Sequence, residues 1–194
     1  MRCMTVRVVV TEHVERKSVF RFLFPFVLGA IVLLFFIFFA DASTQLKYAQ
    51  MALLYYTPMI GVSIAIPIGL EILKIHPVAL VCFLLFLDCE LSIFVVLNFD
   101  MAKILPYIGA VFERMESSGR RAMEKYKWVK RFGFIGLVSF VMIPCPWTGS
   151  GVGSVIGRMM GFPSFVTFIA VFTGSLLRLV LITLVSLGIL HILL

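Results

Sequence analysis

Charge is what this sequence has least of. Of its 194 residues only 14% are Asp, Glu, Lys or Arg, while 61% are apolar; a soluble domain carries roughly a quarter charged and about half apolar. The shortage, with a mean hydropathy of +1.09, excludes a cytosolic enzyme, a disordered chain and a free nucleic-acid binder. Histidine is scarce and scattered (His13, His76, His191), so no metal constellation forms from the sequence. The four cysteines (Cys3, Cys82, Cys89, Cys145) contain no C-x-x-C and sit mostly in apolar runs, where they read as small packing residues. There is no G-x-x-x-x-G-K-[ST] loop, no triad and no paired active-site carboxylate motif. The expectation is a membrane protein with no cofactor and no enzymatic activity.

The charge that is present is unevenly placed. Five Lys/Arg precede residue 22 and eight more lie between Lys103 and Arg131, within a formal net charge of +7. Both clusters mark the cytoplasmic face. After the basic tail of residues 1–21, Phe22 to Ala40 is uncharged, long enough to cross about 30 Å of hydrocarbon. It exceeds the apolar core of a signal peptide, roughly 7 to 15 residues, and reads as an anchor. Cleavage before Ser43 is the alternative.

Residues 41–98 read as a first repeat. A mixed surface segment leads into an apolar stretch at 55–73 broken by Pro58, Gly61, Pro67 and Gly69, which predicts a re-entrant helical hairpin. A Pro-started span, 77–97, follows. Residues 99–131 are basic, with Ile108, Val111, Met115, Ala122, Tyr126 and Val129 at helical spacing, and predict an amphipathic helix on the cytoplasmic membrane surface. Residues 132–194 repeat the pattern: a broken segment at 132–161, a span at 162–187 and an apolar tail. Placing both basic clusters on one side makes the two hairpins enter from opposite faces. The expected fold class is therefore an all-α integral membrane protein, an inverted repeat of re-entrant hairpin plus transmembrane helix with an extra N-terminal transmembrane helix.

Three charges stand inside apolar runs. Asp88 is eleven residues past Pro77, roughly 16 Å along a helix and so near the bilayer centre, where a carboxylate is functional by default. Glu90 points about 200° away around the same helix. Arg178, fifteen residues past Pro163, comes from the other side to within side-chain reach of the Asp88 level. A proton carried by Asp88, with Glu90 or Glu71 assisting, is one reading; a structural ion pair is the other. Glu71 is also placed to pair with Lys74.

A second site is predicted at Pro144-Cys145-Pro146-Trp147-Thr148-Gly149-Ser150. The prolines stop one helix, and the next would present free N–H groups and its positive end inside the membrane. Thr148, Gly149 and Ser150 would contact an anion there, with Arg158 and Arg178 balancing its charge. Gly149, Gly153, Gly157 and Gly161 recur every four residues and predict close helix packing.

Two segments resemble the small multidrug export protein family, itself similar to the wider DedA superfamily of membrane proteins. They are Ala65-Ile66-Pro67-Ile68-Gly69, and Phe132-Gly133-Phe134-Ile135-Gly136 running into Ile143-Pro144-Cys145-Pro146-Trp147-Thr148-Gly149. The resemblance covers residues 55 to 187. It implies two inverted re-entrant hairpins meeting at midplane and, from the superfamily, proton-linked translocation of phosphorylated polyprenol carriers. Gly61 and Ser63 stand where relatives carry Glu and Arg, and Asp88-Cys89 where Gly-Asn is expected; Arg158 and Gly174 are similar to later superfamily positions. The leading expectation is a homodimeric, multi-pass cell-membrane transporter or flippase for an anionic lipid or amphiphile, with membrane lipids and protons as partners. Export of cationic drugs drawn by Asp88 and Glu90, and a non-transporting assembly protein, are the other two readings.

Overall fold

The computed structural model describes residues 22–34, 36–38, 40–57, 61–102, 114, 117–121, 123–125, 127–143 and 149–193. Among them the regular structure is helical throughout: α1 (Phe22–Phe38), α2 (Ala42–Tyr56), α3 (Gly61–Glu71), α4 (Pro77–Ala102), α5 (Lys127–Met142), α6 (Ser150–Met159) and α7 (Ser164–Leu193). Two stretches, Pro77–Phe99 in α4 and Ser164–Gly188 in α7, are long and apolar enough to cross a membrane.

α4 and α7 pack along each other and carry the fold, α6 wedging between them. α2 and α3 cover the α7 side near Leu80, Leu84 and Leu179, while α5 packs on α6 and α7 through Leu137, Phe140, Val141 and Ile156. α1 runs antiparallel to α4. Its Phe22 and Phe26 meet Phe94, Gly29 meets Glu90, and Phe36 joins Tyr48 and Phe83. Polarity is inverted relative to a soluble domain: Phe38 and Phe165 are 80% and 73% exposed, while Arg178 and Asp88 are 1% and 3% exposed. Apolar side chains outside and polar ones inside is the pattern expected when lipid is the solvent.

The broken regions differ from the sequence expectation in detail. Residues 42–54, expected as a mixed surface segment, form most of α2, in which Met51 is fully buried. Within 55–73 the break falls after Tyr56, and Gly61–Glu71 is one helix with Pro67 inside it. Proline is tolerated in apolar helices because neighbours re-satisfy the freed backbone groups. Gly69 serves contact rather than breakage: a β-carbon there would lie 2.9 Å from Leu80 and 3.1 Å from Met51 Sδ. The second broken region does separate two helices, α5 and α6. The surface helix expected over 99–131 is described only in part. α4 takes it to Ala102, and Gly119 and Met123 pack against α6 and the α5–α7 core instead of facing headgroups alone.

Both long helices follow a tight stop. α6 ends in a left-handed turn: the Phe162 amide reaches the Gly157 carbonyl, the Gly161 amide reaches Arg158, and Gly161 takes φ 83. α3 ends with Leu73 bonded to Ile68 and Lys74 at φ 53 before Pro77 opens α4.

Candidate functional site

The centre of the molecule is an ion pair. Asp88, on the inner face of α4, holds Arg178 of α7 through Oδ2 and Nη2 at 2.8 Å. Two hydroxyls complete the carboxylate. Ser150 Oγ, the first residue of α6, donates to Oδ1 at 2.7 Å, and the Tyr55 phenol from the last turn of α2 donates to the same oxygen. The Tyr55 oxygen in turn accepts from Arg178 Nη2 at 3.3 Å. The last turn of α2 and the first residue of α6 therefore converge on one carboxylate oxygen.

Each contribution has a local origin. Asp88 lies mid-helix, and facing α6 and α7 is the orientation that spares its charge from lipid. Ser150 is presented because Gly149, extended at φ −65 and ψ 177, lets α6 begin there without a side-chain cap. The first amides of α6 consequently have no intrahelical acceptor. Arg178 keeps a buried Nε with no hydrogen-bond partner among the described residues, and its Nη1 lies 3.9 Å from where a β-carbon on Gly149 would stand. A guanidinium edge and the start of α6 thus share one small region. Buried Ser175 Oγ, one turn away on α7, also lacks a partner there.

One turn further along α4 and α6, Ser92 and Ser154 share a hydrogen bond of 2.8 Å. Beyond them Val95, Val155 and Phe99 form a dry layer. Arg158 lies past that layer, its guanidinium 5.8 Å from the Phe99 ring centroid and donating to the Phe162 carbonyl at 3.0 Å. It stands eight residues from Ser150, roughly 12 Å along the helix, and is not brought to the ion pair.

The remaining predicted residues distribute as follows. Glu90 faces α1 at Gly29, away from Asp88. Glu71 is half-buried at the end of α3, and no ion pair joins it to Lys74. Pro67 and Gly69 belong to the packing of α3. Pro144, Pro146 and Thr148 lie outside the described residues. Of the glycine series, Gly153 and Gly157 allow close approach of Val141 and of Thr167 with Leu137, whereas Gly161 serves the turn. Sequence reasoning missed Tyr55, Ser92 and Ser154. The Tyr55-Tyr56 pair before Pro58 is a recognisable break signal; the serines sit one helical turn from Asp88 and Ser150, visible only once those are taken as a site.

Among the described residues the site pairs one carboxylate with one guanidinium. Removing either charge leaves the other buried without compensation, a change worth several kcal/mol.

The family described as "putative small multi-drug export protein" matches residues 62–181. That interval contains Asp88, Ser150 and Arg178; α1, α2 and Tyr55 fall outside it. No curated protein and no solved structure matches the chain.

Proposed function

Since the chain belongs to the small multi-drug export protein family, we propose that it is a multi-pass membrane transporter whose substrate exchanges with the Asp88–Arg178 ion pair. Membrane location rests on that membership and on the two apolar helices. The substrate is an anionic amphiphile, such as a polyprenyl phosphate. The observation that carries this reading is the convergence of Tyr55, Ser150 and Arg178 on Asp88, with the start of α6 beside Arg178.

The mechanism follows from the charges. With Asp88 ionised, Tyr55 and Ser150 hold the end of α2 and the start of α6 against it and Arg178 is neutralised. When Asp88 takes a proton, the carboxyl group loses its hold on Arg178, and the guanidinium is left to pair with a phosphate or carboxylate headgroup at the α6 start. Release of the headgroup restores the ion pair and returns the proton. Apolar chains stay in lipid against the exposed faces of α4 and α7. The arrangement of helix, break, short helix and long helix occurs twice, which supports opposed re-entrant hairpins with the N-terminus and residues 99–131 cytoplasmic.

The test is transbilayer movement of a labelled polyprenyl phosphate in liposomes holding the purified protein, with and without a pH gradient. Gradient-sensitive movement is expected, and Asp88→Asn is expected to lose the dependence on the gradient. Folded protein that moves nothing in either condition would sink this reading.

A further inference from the structure

A second polar layer lies one turn from the ion pair. Ser92 follows Asp88 by four residues on α4, and Ser154 follows Ser150 by four on α6; both are buried, and their oxygens are 2.8 Å apart. α7 runs against α4, because Leu80 and Leu84 cluster with Ile182 while Asp88 meets Arg178. Ser175, fully buried and three residues before Arg178, therefore lies toward the level of the other two serines, roughly 4.5 Å from Arg178 along the helix. It shares one stripe of α7 with Arg178 and with Val171, which borders Gly153 of α6. Hydroxyls from α4, α6 and α7 thus gather beside the site.

Their hydrogen bonding is of a kind that water completes. Either serine of the Ser92–Ser154 pair can be the donor, and the one that accepts keeps a proton to give. Ser175 Oγ and Arg178 Nε, three residues apart on one face, are buried with no partner among the described residues. Buried polar groups so placed are bridged by a water making about three hydrogen bonds. Ser150 Oγ donates to Asp88 Oδ1, and its lone pairs can accept from that water.

The other directions are closed. Toward Pro77 the ion pair is packed by Leu80, Leu84, Leu87 and Leu179. Of the buried hydroxyls there, Ser186 bonds back to the Ile182 carbonyl, and Thr183, five residues past Arg178, lies about 140° round α7. Tyr55 gives its one proton to Oδ1 and accepts from Arg178, which leaves a ring beyond it and not a further hydroxyl. Polar continuity from Asp88 runs toward Ala102. It stops at Val95 and Val155, both fully buried, and the next buried polar atom on α4 is Asn98 Oδ1, six residues past Ser92 and roughly 9 Å along the helix.

We propose that Ser92, Ser154 and Ser175 form the proton relay of Asp88, filled by water and closed toward Ala102 by the single layer of Val95 and Val155. The relay rests on the reading of Asp88 as the proton carrier. In the transfer Ser150 gives its hydroxyl proton to Asp88 Oδ1 and takes one from the water. The water, held by Ser175, takes one from the Ser92–Ser154 pair, and the pair takes one from solvent when the valine layer parts. Each hydroxyl and the water end with the protons they began with, and the carboxylate has gained one. Because they act on Asp88 through Ser150, the three serines are positioning residues. The titratable groups around the carboxylate are the Tyr55 and Tyr56 phenols of α2, Cys89 and Glu90 of α4 and Arg178 of α7. α1 has none, Glu71 stands at the far end of α3, and Arg158 of α6 lies past the valine layer.

The test is time-resolved infrared spectroscopy of the full-length protein in lipid nanodiscs, following the Asp88 carboxyl band after a photoreleased proton; Asp88→Asn assigns the band. Ser92→Ala and Ser175→Ala are each expected to slow its appearance at least tenfold while its equilibrium midpoint stays in place, and Val155→Thr to speed it several-fold. A merely structural role moves the midpoint or the stability and not the rate alone. Ser175 has no partner to lose among the described residues, so Ser175→Ala folds and decides the matter if Ser92→Ala does not. Unchanged rates in the serine variants, or slowing found only in Tyr55→Phe, would overturn the relay and leave Asp88 as the carrier. An unchanged rate in Val155→Thr would overturn the gate. No Asp88 band at any pH at which the protein stays folded would overturn the relay and the carrier together.

Discussion

Tyr55 and Ser150 donate to the same oxygen of Asp88, although one lies in the last turn of α2 and the other begins α6. A single carboxylate therefore couples two segments far apart in the chain. Tyr55→Phe removes the phenol oxygen and keeps the ring. It is expected to cost about 1 kcal/mol of stability, and Ser150→Ala a similar amount. The double variant should cost more than the sum, because two donors compete for one oxygen and either bond strengthens when the other is removed. Denaturant unfolding of the four proteins in detergent measures the coupling; strict additivity would mean that the two donors act independently.

The ion pair makes a sharper prediction. Arg178→Gln strands Asp88 in a site 3% exposed and is expected to destabilise by about 3–5 kcal/mol. Asp88→Asn strands the guanidinium and should cost a comparable amount. Combining the two removes both charges and should recover most of the loss, so the double variant melts close to wild type while transporting nothing. A double variant as unstable as either single one would show that a stranded charge is not what weakens the single variants.

Asp88→Asn also separates chemistry from architecture. Transport coupled to a proton at Asp88 loses its dependence on an imposed pH gradient in this variant, whereas Glu71→Gln, at the end of α3, leaves the dependence in place. Flux assays in liposomes at matched protein incorporation read the difference directly.

How much of the fold and the site is legible in the sequence depends on how strongly lipid constrains each residue. α4 and α7 follow from long uncharged runs opened by Pro77 and Pro163, and Asp88 and Arg178 stand out because a charge inside such a run needs a reason. Their distance is bounded by helical rise alone. Tyr55 is not legible, since a tyrosine near a membrane helix end is common at the interface and nothing local says that it turns inward. The extent of α3 departs from expectation because Pro67 and Gly69 signal a break in water, while here neighbours absorb the proline and Leu80 occupies the space at the glycine. Charge alone points Arg158 to the anion site, but eight residues of α6 carry it beyond the Val95–Val155 layer to Phe99.

The packing of α6 gives a prediction that bypasses function. A β-carbon on Gly153 would overlap Val141 Cγ2 of α5 and stand 3.5 Å from Val171 of α7. Both valines are fully or almost fully buried and stiff at χ1, so neither can rotate away. Gly153→Ala is therefore expected to destabilise by about 1–3 kcal/mol through overpacking, despite the better helix propensity of alanine. Val141→Ala alone leaves a cavity and should also destabilise. Together they add one methyl where two are removed, so the clash is gone and part of the cavity is filled, and the double variant should be more stable than Gly153→Ala. Because Ser150 begins the same helix, shifting α6 also moves the donor to Asp88, so the compensating change should restore transport in parallel with the melting temperature. If stability returns while transport does not, the position of α6 is not what holds the site together.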